Sequence, residues 1–144
     1  MKIAIASDHG GFELKEQIQK YFIFSGKDII DLGTYSADSC DYPDIAHKMV
    51  EYILQKQADL GILICGTGVG ISIAANRFKG IRAAILYDDF TAEMAKKHNN
   101  ANIMVFGGRT MKAEDVIRRI NIFLNTEFEG GRHSKRIEKI EEGI

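Results

Sequence analysis

Cysteine is scarce in this chain. Cys40 and Cys65 are the only two among 144 residues, too few for a disulfide framework, so reduced thiols are expected. Long hydrophobic runs are missing as well, and nothing approaches the roughly 20 apolar residues that span a bilayer. The opening Lys2-Ile3-Ala4-Ile5-Ala6-Ser7 lacks the layout of a signal peptide, and a cytoplasmic protein is expected. Neither sign of charge dominates. With 19 Lys and Arg against 20 Asp and Glu, the net charge is -1, which supplies no field for nucleic acid or an anionic membrane. Repeats, low-complexity segments and interdomain linkers are also absent. The length suits one domain with a proper core, so residues 1–144 are expected to form a single domain with a helical tail over about 132–144.

What the chain does have is alternation. Ile3 to Ala6 reads as a strand. Gly11 to Phe24 reads as a helix, because Leu14, Ile18 and Phe22 recur every fourth residue. Asp28 to Leu32 is a second strand, closed by Gly33, and a polar loop runs from Tyr35 to Tyr42. The one proline, Pro43, sits where a helix tolerates it, in the first turn, and Ile45, Met49 and Ile53 then form an apolar stripe. Leu60 to Ile64 is apolar on both faces, as suits the middle of a parallel sheet. A helix is predicted from about Gly70 to Phe78, ended by Gly80, then a strand from Ile81 to Tyr87. Phe90, Met94 and His98 mark the next helix, Ile103 to Phe106 a fifth strand, and Lys112 to Leu124 a helix carrying Val116, Ile120 and Phe123. In the tail, Ile137, Ile140 and Ile144 form a stripe that should dock on the rest of the chain. Five strands alternating with helices imply right-handed crossovers and a Rossmann-like three-layer αβα sandwich around a five-stranded parallel sheet.

Such folds bind ligands beyond the carboxyl ends of their strands, at a switch point in strand order. Asp8-His9-Gly10-Gly11, Asp41-Tyr42-Pro43, Cys65 with its glycines, Asp88-Asp89 and Gly107-Gly108-Arg109 all follow strands and fall on that edge. The glycine loop Cys65-Gly66-Thr67-Gly68-Val69-Gly70 fails the nucleotide patterns. A Walker A loop would need lysine where Thr67 stands. The dinucleotide fingerprint would need its third glycine one residue after Gly70, although Asp88 lies at about the right distance to imitate the ribose-binding acid. A cysteine phosphatase would need arginine at Ile71. Two readings of Cys65 survive. Consecutive backbone N–H groups at a helix start form an anion site, and such a field activates a thiol. Equally, a free cysteine is often just a small buried residue at a strand end. Spacing alone leaves both open.

Five groups decide it when taken in order: Ser7-Asp8-His9-Gly10-Gly11-Phe12, Asp41-Tyr42-Pro43, Cys65-Gly66-Thr67-Gly68-Val69-Gly70, His98-Asn99-Asn100-Ala101-Asn102 and Gly130-Gly131-Arg132-His133. Together they resemble the ribose-5-phosphate isomerase B family and its relatives, the galactose-6-phosphate isomerase subunits, over nearly the whole chain. The resemblance implies an aldose–ketose isomerase working through an enediolate, without metal or organic cofactor. It implies Cys65 as the base, the Gly66, Gly68, Val69 and Gly70 backbone as the oxyanion cradle, and the Thr67 hydroxyl as a proton carrier between the two oxygens. It implies that His98 opens the furanose ring with support from Asp8, that His9, Arg109, Arg132 and Arg136 bind phosphate, and that Asn99 contacts the sugar. One branch of the family carries glutamate at the place of Ile71; this chain resembles the cysteine branch. The chemistry is coherent, because a proton beside a carbonyl needs a base near neutral pKa and donors aimed at the charge it leaves behind.

His98 lies between a helix and the strand that follows, which in a parallel sheet is the edge opposite Cys65. A histidine at a helix C-terminus is unremarkable in itself. A ring-opening group must nevertheless reach the sugar. His98 and Asn99 are therefore expected in the partner subunit's site, within a homodimer or a dimer of dimers. Arg132 and Arg136 share a helix face and suit either solvent or an anion. Tyr42 suits the sugar pocket or packing beside Pro43. His47 with Asp44 reads as a surface pair, and Cys40 and His133 carry no assigned role. Ribose 5-phosphate and ribulose 5-phosphate are the expected pair. Allose or galactose 6-phosphate, or a catalytically silent sugar-phosphate-binding module, are the alternatives. A redox or nucleotide-binding protein is disfavoured by the missing fingerprint and by the lack of a CxxC motif.

Overall fold

The computed structural model describes residues 1–144. Its elements run β1 (Ile3–Ser7), α1 (Phe12–Phe24), β2 (Ile29–Asp31), α2 (Tyr42–Leu54), β3 (Leu60–Cys65), α3 (Val69–Ala75), β4 (Ala83–Ile85), α4 (Asp89–Lys97), β5 (Ile103–Gly107), α5 (Ala113–Leu124) and α6 (Arg132–Glu142). All five strands are parallel, in the order β2-β1-β3-β5-β4. Ile3 stands opposite both Ile29 and Leu60, and Gly61 opposite Ile103.

The three layers follow from which strand residues face which helices. Ile62 and Ile64 join Leu14, Ile18 and Phe22 of α1 and Val116, Ile120 and Phe123 of α5 in one core. Leu63 and Cys65 join Met49, Val50 and Ile53 of α2 and Ile71 and Ala75 of α3 in the other. β3 is buried along its whole length on both faces, as its unbroken apolar run demands. Burying a side chain of the Leu or Ile class contributes about 1.5–3 kcal/mol, so the two cores outweigh any single polar contact described below.

Four expectations need correcting. The helix after the glycine loop stops at Ala75 rather than Phe78. Asn76 ends it by turning its amide to the edge strand, donating to the Ala83 carbonyl and accepting the Ala83 N–H, both at 2.8 Å. Arg77 and Phe78 make only tight-turn bonds at 3.4 Å. β4 is three residues long, not seven; it is an edge strand, and at Arg82 the N–H turns to the Asn102 side chain at 2.8 Å. In α4 the core face is Ala92 and Ala95, while Phe90 stands 70% exposed. Small side chains let this helix lie close to its neighbour, and the larger apolar groups sit off that line. In α6 the docked stripe is His133, Ile137 and Glu141, not Ile137, Ile140 and Ile144. His133 is buried, whereas Ile140 is 57% exposed and Ile144 fully so. Glu141 latches the end of α6, accepting from the Gly80 N–H at 2.7 Å and from the Arg82 guanidinium at 2.6 Å.

No helix is long and apolar enough to cross a membrane.

Candidate active site

The chain leaves β1 in one direction to reach β2 and crosses back to β3 on the other side, so the crevice between the carboxyl ends of β1 and β3 is a switch point. Both motifs that follow these strands meet there. Gly108 N–H donates to the Cys65 carbonyl at 2.8 Å and Arg109 N–H to the Gly66 carbonyl at 2.9 Å, which ties in the loop after β5.

Cys65 is the last residue of β3 and is 5% exposed. Its Sγ accepts the Gly68 N–H at 3.2 Å, so the thiol sits inside the turn of backbone donors that follows it. That turn depends on Gly68, whose φ of +85° is left-handed; a Cβ there would also stand 3.2 Å from the Phe106 carbonyl group. Thr67 is exposed at the turn's outer corner, with its Oγ1 accepting the Val69 N–H at 3.2 Å. A cavity of about 440 Å³ opens beside Thr67 and Val69, walled by Tyr87, Thr110, Met111 and Arg119 among others. Tyr42 packs its ring against Gly70 so closely that a Cβ on Gly70 would approach the ring to 2.8 Å. The Arg109 guanidinium lies over Gly66, 3.3 Å from where a Cβ would be.

Asp8 and His9 are set by their surroundings. Asp8 is 6% exposed and its Oδ1 accepts the Gly10 and Gly11 N–H groups at 2.9 and 3.2 Å. His9 Nδ1 accepts the Cys40 N–H at 3.2 Å. An imidazole that accepts at Nδ1 carries its proton at Nε2, so the donor left to His9 is Nε2. Cys40 thus matters through its backbone. The loop that delivers it is anchored by Lys15, a fully buried ammonium 2.8 Å from Asp31 Oδ2. Asp31 also accepts the Gly33 N–H at 2.8 Å and, through its carbonyl, the Tyr35 hydroxyl at 3.0 Å.

The structure therefore brings together Asp8, His9, Tyr42, Cys65, Gly66, Thr67, Gly68, Val69, Gly70 and Arg109. It does not bring His98, Asn99, Arg132 or Arg136 to them. Those four gather at the opposite, amino-terminal edge. The six residues of β3 span about 20 Å at roughly 3.3 Å each, so Asp8 and His98 do not meet within one chain. At that second edge His98 caps the end of α4, and α6 carries Arg132 and Arg136 beside it. Arg82 ties the two together, since it holds Glu141 of α6 and donates to the Asn100 carbonyl at 3.1 and 3.0 Å.

Two residues of this edge escape a reading of the sequence: His133, whose ring stacks on His98 with centroids 4.1 Å apart, and Glu129, within 4 Å of both imidazoles. The available signal is the spacing of His133, Ile137 and Glu141, four apart on one face. His98, Glu129 and His133 offer three ligand atoms within 4.8 Å of one another. The two rings are nearly parallel, at 11°, so their nitrogen lone pairs run side by side rather than converging on one ion, as a tetrahedral metal requires.

Comparison with known proteins gives the family. Residues 3–140 match the family model described as Ribose/Galactose Isomerase. Ribose-5-phosphate isomerase B of Escherichia coli is 42% identical over 139 residues, covering 96% of this chain and 93% of that protein. The crystal structure of a ribose 5-phosphate isomerase from Thermotoga maritima superposes with a TM-score of 0.97 at 54% identity, over 99% of this chain and 98% of that one. The Mycoplasma genitalium ribose-5-phosphate isomerase B, solved with bound ribulose-5-phosphate, gives a TM-score of 0.93 at 41% identity, over 98% and 94% of the two chains. With residues 3–140 matched by the family model and these relatives 41–54% identical over nearly the whole chain, the chain belongs to the ribose/galactose isomerase family.

Proposed function

We propose that the chain interconverts ribose 5-phosphate and ribulose 5-phosphate, with Cys65 as the base. The observation that carries this reading is Cys65 Sγ, held at the strand end in hydrogen-bond contact with the Gly68 N–H. As a thiolate it takes the proton from carbon 2 of the open-chain aldose. The enediolate's negative oxygen lies against N–H groups of the Gly66–Gly70 turn, which are already oriented and need no rearrangement as charge develops. The proton returns to carbon 1, and the Thr67 hydroxyl carries a second proton between the two oxygens. His9, fixed as an Nε2 donor by the Cys40 amide, and Arg109 bind the phosphate from this side.

The remaining groups come from a second copy. His98, Asn99, Arg132 and Arg136 stand at the wrong edge for their own Cys65, so the reading requires a homodimer in which each chain lends its amino-terminal edge to the partner's crevice. Large apolar side chains left open near the carboxyl edge support this: Val69, Ile73, Tyr87 and Phe90 are each more than half exposed, and such a patch marks a surface to be covered.

The test supplies ribose 5-phosphate and follows ribulose 5-phosphate. Turnover by the wild type and none by Cys65→Ala or Cys65→Ser is expected; equal turnover by either variant defeats the mechanism. Faster turnover of allose or galactose 6-phosphate would reassign the substrate. For the shared site, Cys65→Ala and His98→Ala subunits are mixed after dissociation. Recovered activity is expected, because each mixed dimer holds one intact site, and none after verified exchange defeats the shared arrangement.

A further inference from the structure

His133 has no part in the reading above, yet it is the most buried side chain of α6, 3% exposed. Its ring lies flat on that of His98, at 4.1 Å and 11°. Both rings turn Nε2 towards one carboxylate: Glu129 Oε2 is 3.9 Å from His98 and Oε1 is 3.7 Å from His133. Neither distance is a hydrogen bond, and His133 Nε2 is shielded from solvent with no hydrogen-bonding partner in the chain. Glu129 is held by its backbone, whose N–H donates to the Lys97 carbonyl at 3.0 Å, one residue before His98. A buried, unpaired nitrogen costs stability. Leucine or phenylalanine would fill the place without that cost, so a histidine there calls for a reason beyond packing.

We propose that His133 is a positioning residue for His98: it keeps the His98 ring in one plane and, with Glu129 beside both rings, supports the proton that His98 exchanges as the sugar ring opens. This rests on the assignment of ring opening to His98. In that step the bond between carbon 1 and the ring oxygen breaks. The ring oxygen gains a proton from the His98 imidazolium, and the hydroxyl on carbon 1 gives one back to the imidazole, so none is gained or lost overall. The groups facing the pair are Arg132 and Arg136 from α6 and Glu129 from the segment between α5 and α6. Burial first, then the charges of His98 and Arg132, push His133 below the ordinary histidine value. His98 is the more open of the two rings. A neutral ring beneath it adds no like charge, and the Glu129 carboxylate supplies the opposite one.

The test uses His133→Leu, which fills the buried place without a plane, and His133→Phe, which keeps a flat ring against His98. Both are measured against wild type and His98→Ala for kcat and KM with ribose 5-phosphate. A second assay follows deuterium wash-in at carbon 1 of ribulose 5-phosphate in heavy water. That ketose has its 5-hydroxyl esterified and no five-membered ring to open, so wash-in reads the Cys65 proton transfer alone. His133→Leu is expected to lower kcat about ten- to hundredfold with KM and wash-in near wild type, and His133→Phe to recover most of the loss. Glu129→Gln should lower kcat severalfold in the same manner. Unchanged kcat in His133→Leu overturns the proposal. So does a loss that His133→Phe shares in full, or one matched by lost wash-in or a raised KM, since a merely structural role would give these. If wild type turns over ribose 5-phosphate and His98→Ala does so equally well, the ring-opening assignment falls and this proposal with it. If wild type shows no turnover, the substrate reading falls first.

Discussion

The two edges of the sheet are built by different means. At the carboxyl edge, Cys65, Asp8 and the glycine turn grow directly out of β1 and β3, which are buried on both faces. Their polar atoms are tied mainly to backbone: Sγ to Gly68, Asp8 Oδ1 to Gly10 and Gly11, and His9 Nδ1 to Cys40. At the amino edge, α6 lies outside both cores and hangs from side chains, with His133 stacked on His98 at one end and Glu141 bridging Gly80 and Arg82 at the other. On the proposed function, the site that holds charge in the transition state grows from strands buried on both faces, and the half-site offered to a partner sits on a helix that a few polar contacts hold in register.

Substitutions can break this contrast, and the largest effect is expected on the rigid side. Cys65→Ala should lower kcat by about a hundredfold to ten thousandfold, the usual worth of a positioned base, with a melting temperature close to wild type, measured by turnover and thermal scanning together. Next comes the buried ion pair. Asp31→Ala removes the shortest partner of the Lys15 ammonium, leaving it Glu16 at 3.2 Å and Gln19 at 3.5 Å, and should cost about 1–3 kcal/mol, read as a fall in the urea midpoint at unchanged slope. Gly68→Ala forces a left-handed residue and a close approach to Phe106, and should cost about 1–3 kcal/mol with a clear loss of kcat.

On the hung side the effects should be smaller and of another kind. Glu141→Ala strips the Gly80 N–H and the Arg82 guanidinium of their acceptor, at a cost of about 1–3 kcal/mol. Because α6 carries Arg132 and Arg136, KM for the phosphorylated substrate should rise severalfold while kcat changes little; a kcat effect larger than the KM effect would erase the contrast between the edges. The smallest effect is a pH dependence. His133 sits below the ordinary histidine value of about 6.5, so between its folded and unfolded pKa values the unfolded chain binds more protons. Stability is then full above about pH 7 and declines as pH falls through 6.5 towards the folded value, and His133→Phe should flatten that limb in urea melts taken from pH 7.5 to 5. Burial pushes Glu141 up, but the Gly80 N–H and Arg82 outweigh it and hold it below its ordinary value. Its contribution is present above about pH 4.5 and is lost only as pH falls further, towards the folded value.

Much of the carboxyl edge was legible. Leu60 to Ile64 reads as a central strand because it is apolar on both faces, and whatever follows it must then lie at the ligand-binding edge. The same logic placed Asp8, Arg109 and Tyr42. Less was legible where geometry depends on a side chain bonding the backbone of another segment. The shortened α3 rests on Asn76 finding Ala83, and the shortened β4 on Arg82 turning to Asn102. The core face of α4 went to two alanines rather than to Phe90. Hydrophobic periodicity records which residues are apolar, not how closely a neighbouring helix approaches.

The sequence by itself determined the alternation of strands and helices, the parallel sheet and the edge to which each motif belongs. These follow from local periodicity and from the handedness of crossovers, which are properties of short stretches of chain. It also determined that Cys65 and His98 lie at opposite ends. Tertiary structure alone decided what stands beside His98. The stack with His133 and the nearness of Glu129 join residues more than 30 positions apart through a helix whose docked face is set by one histidine and one glutamate. Polar contacts of that kind are made by orientation and distance in space, and no pattern of hydrophobicity along the chain encodes them.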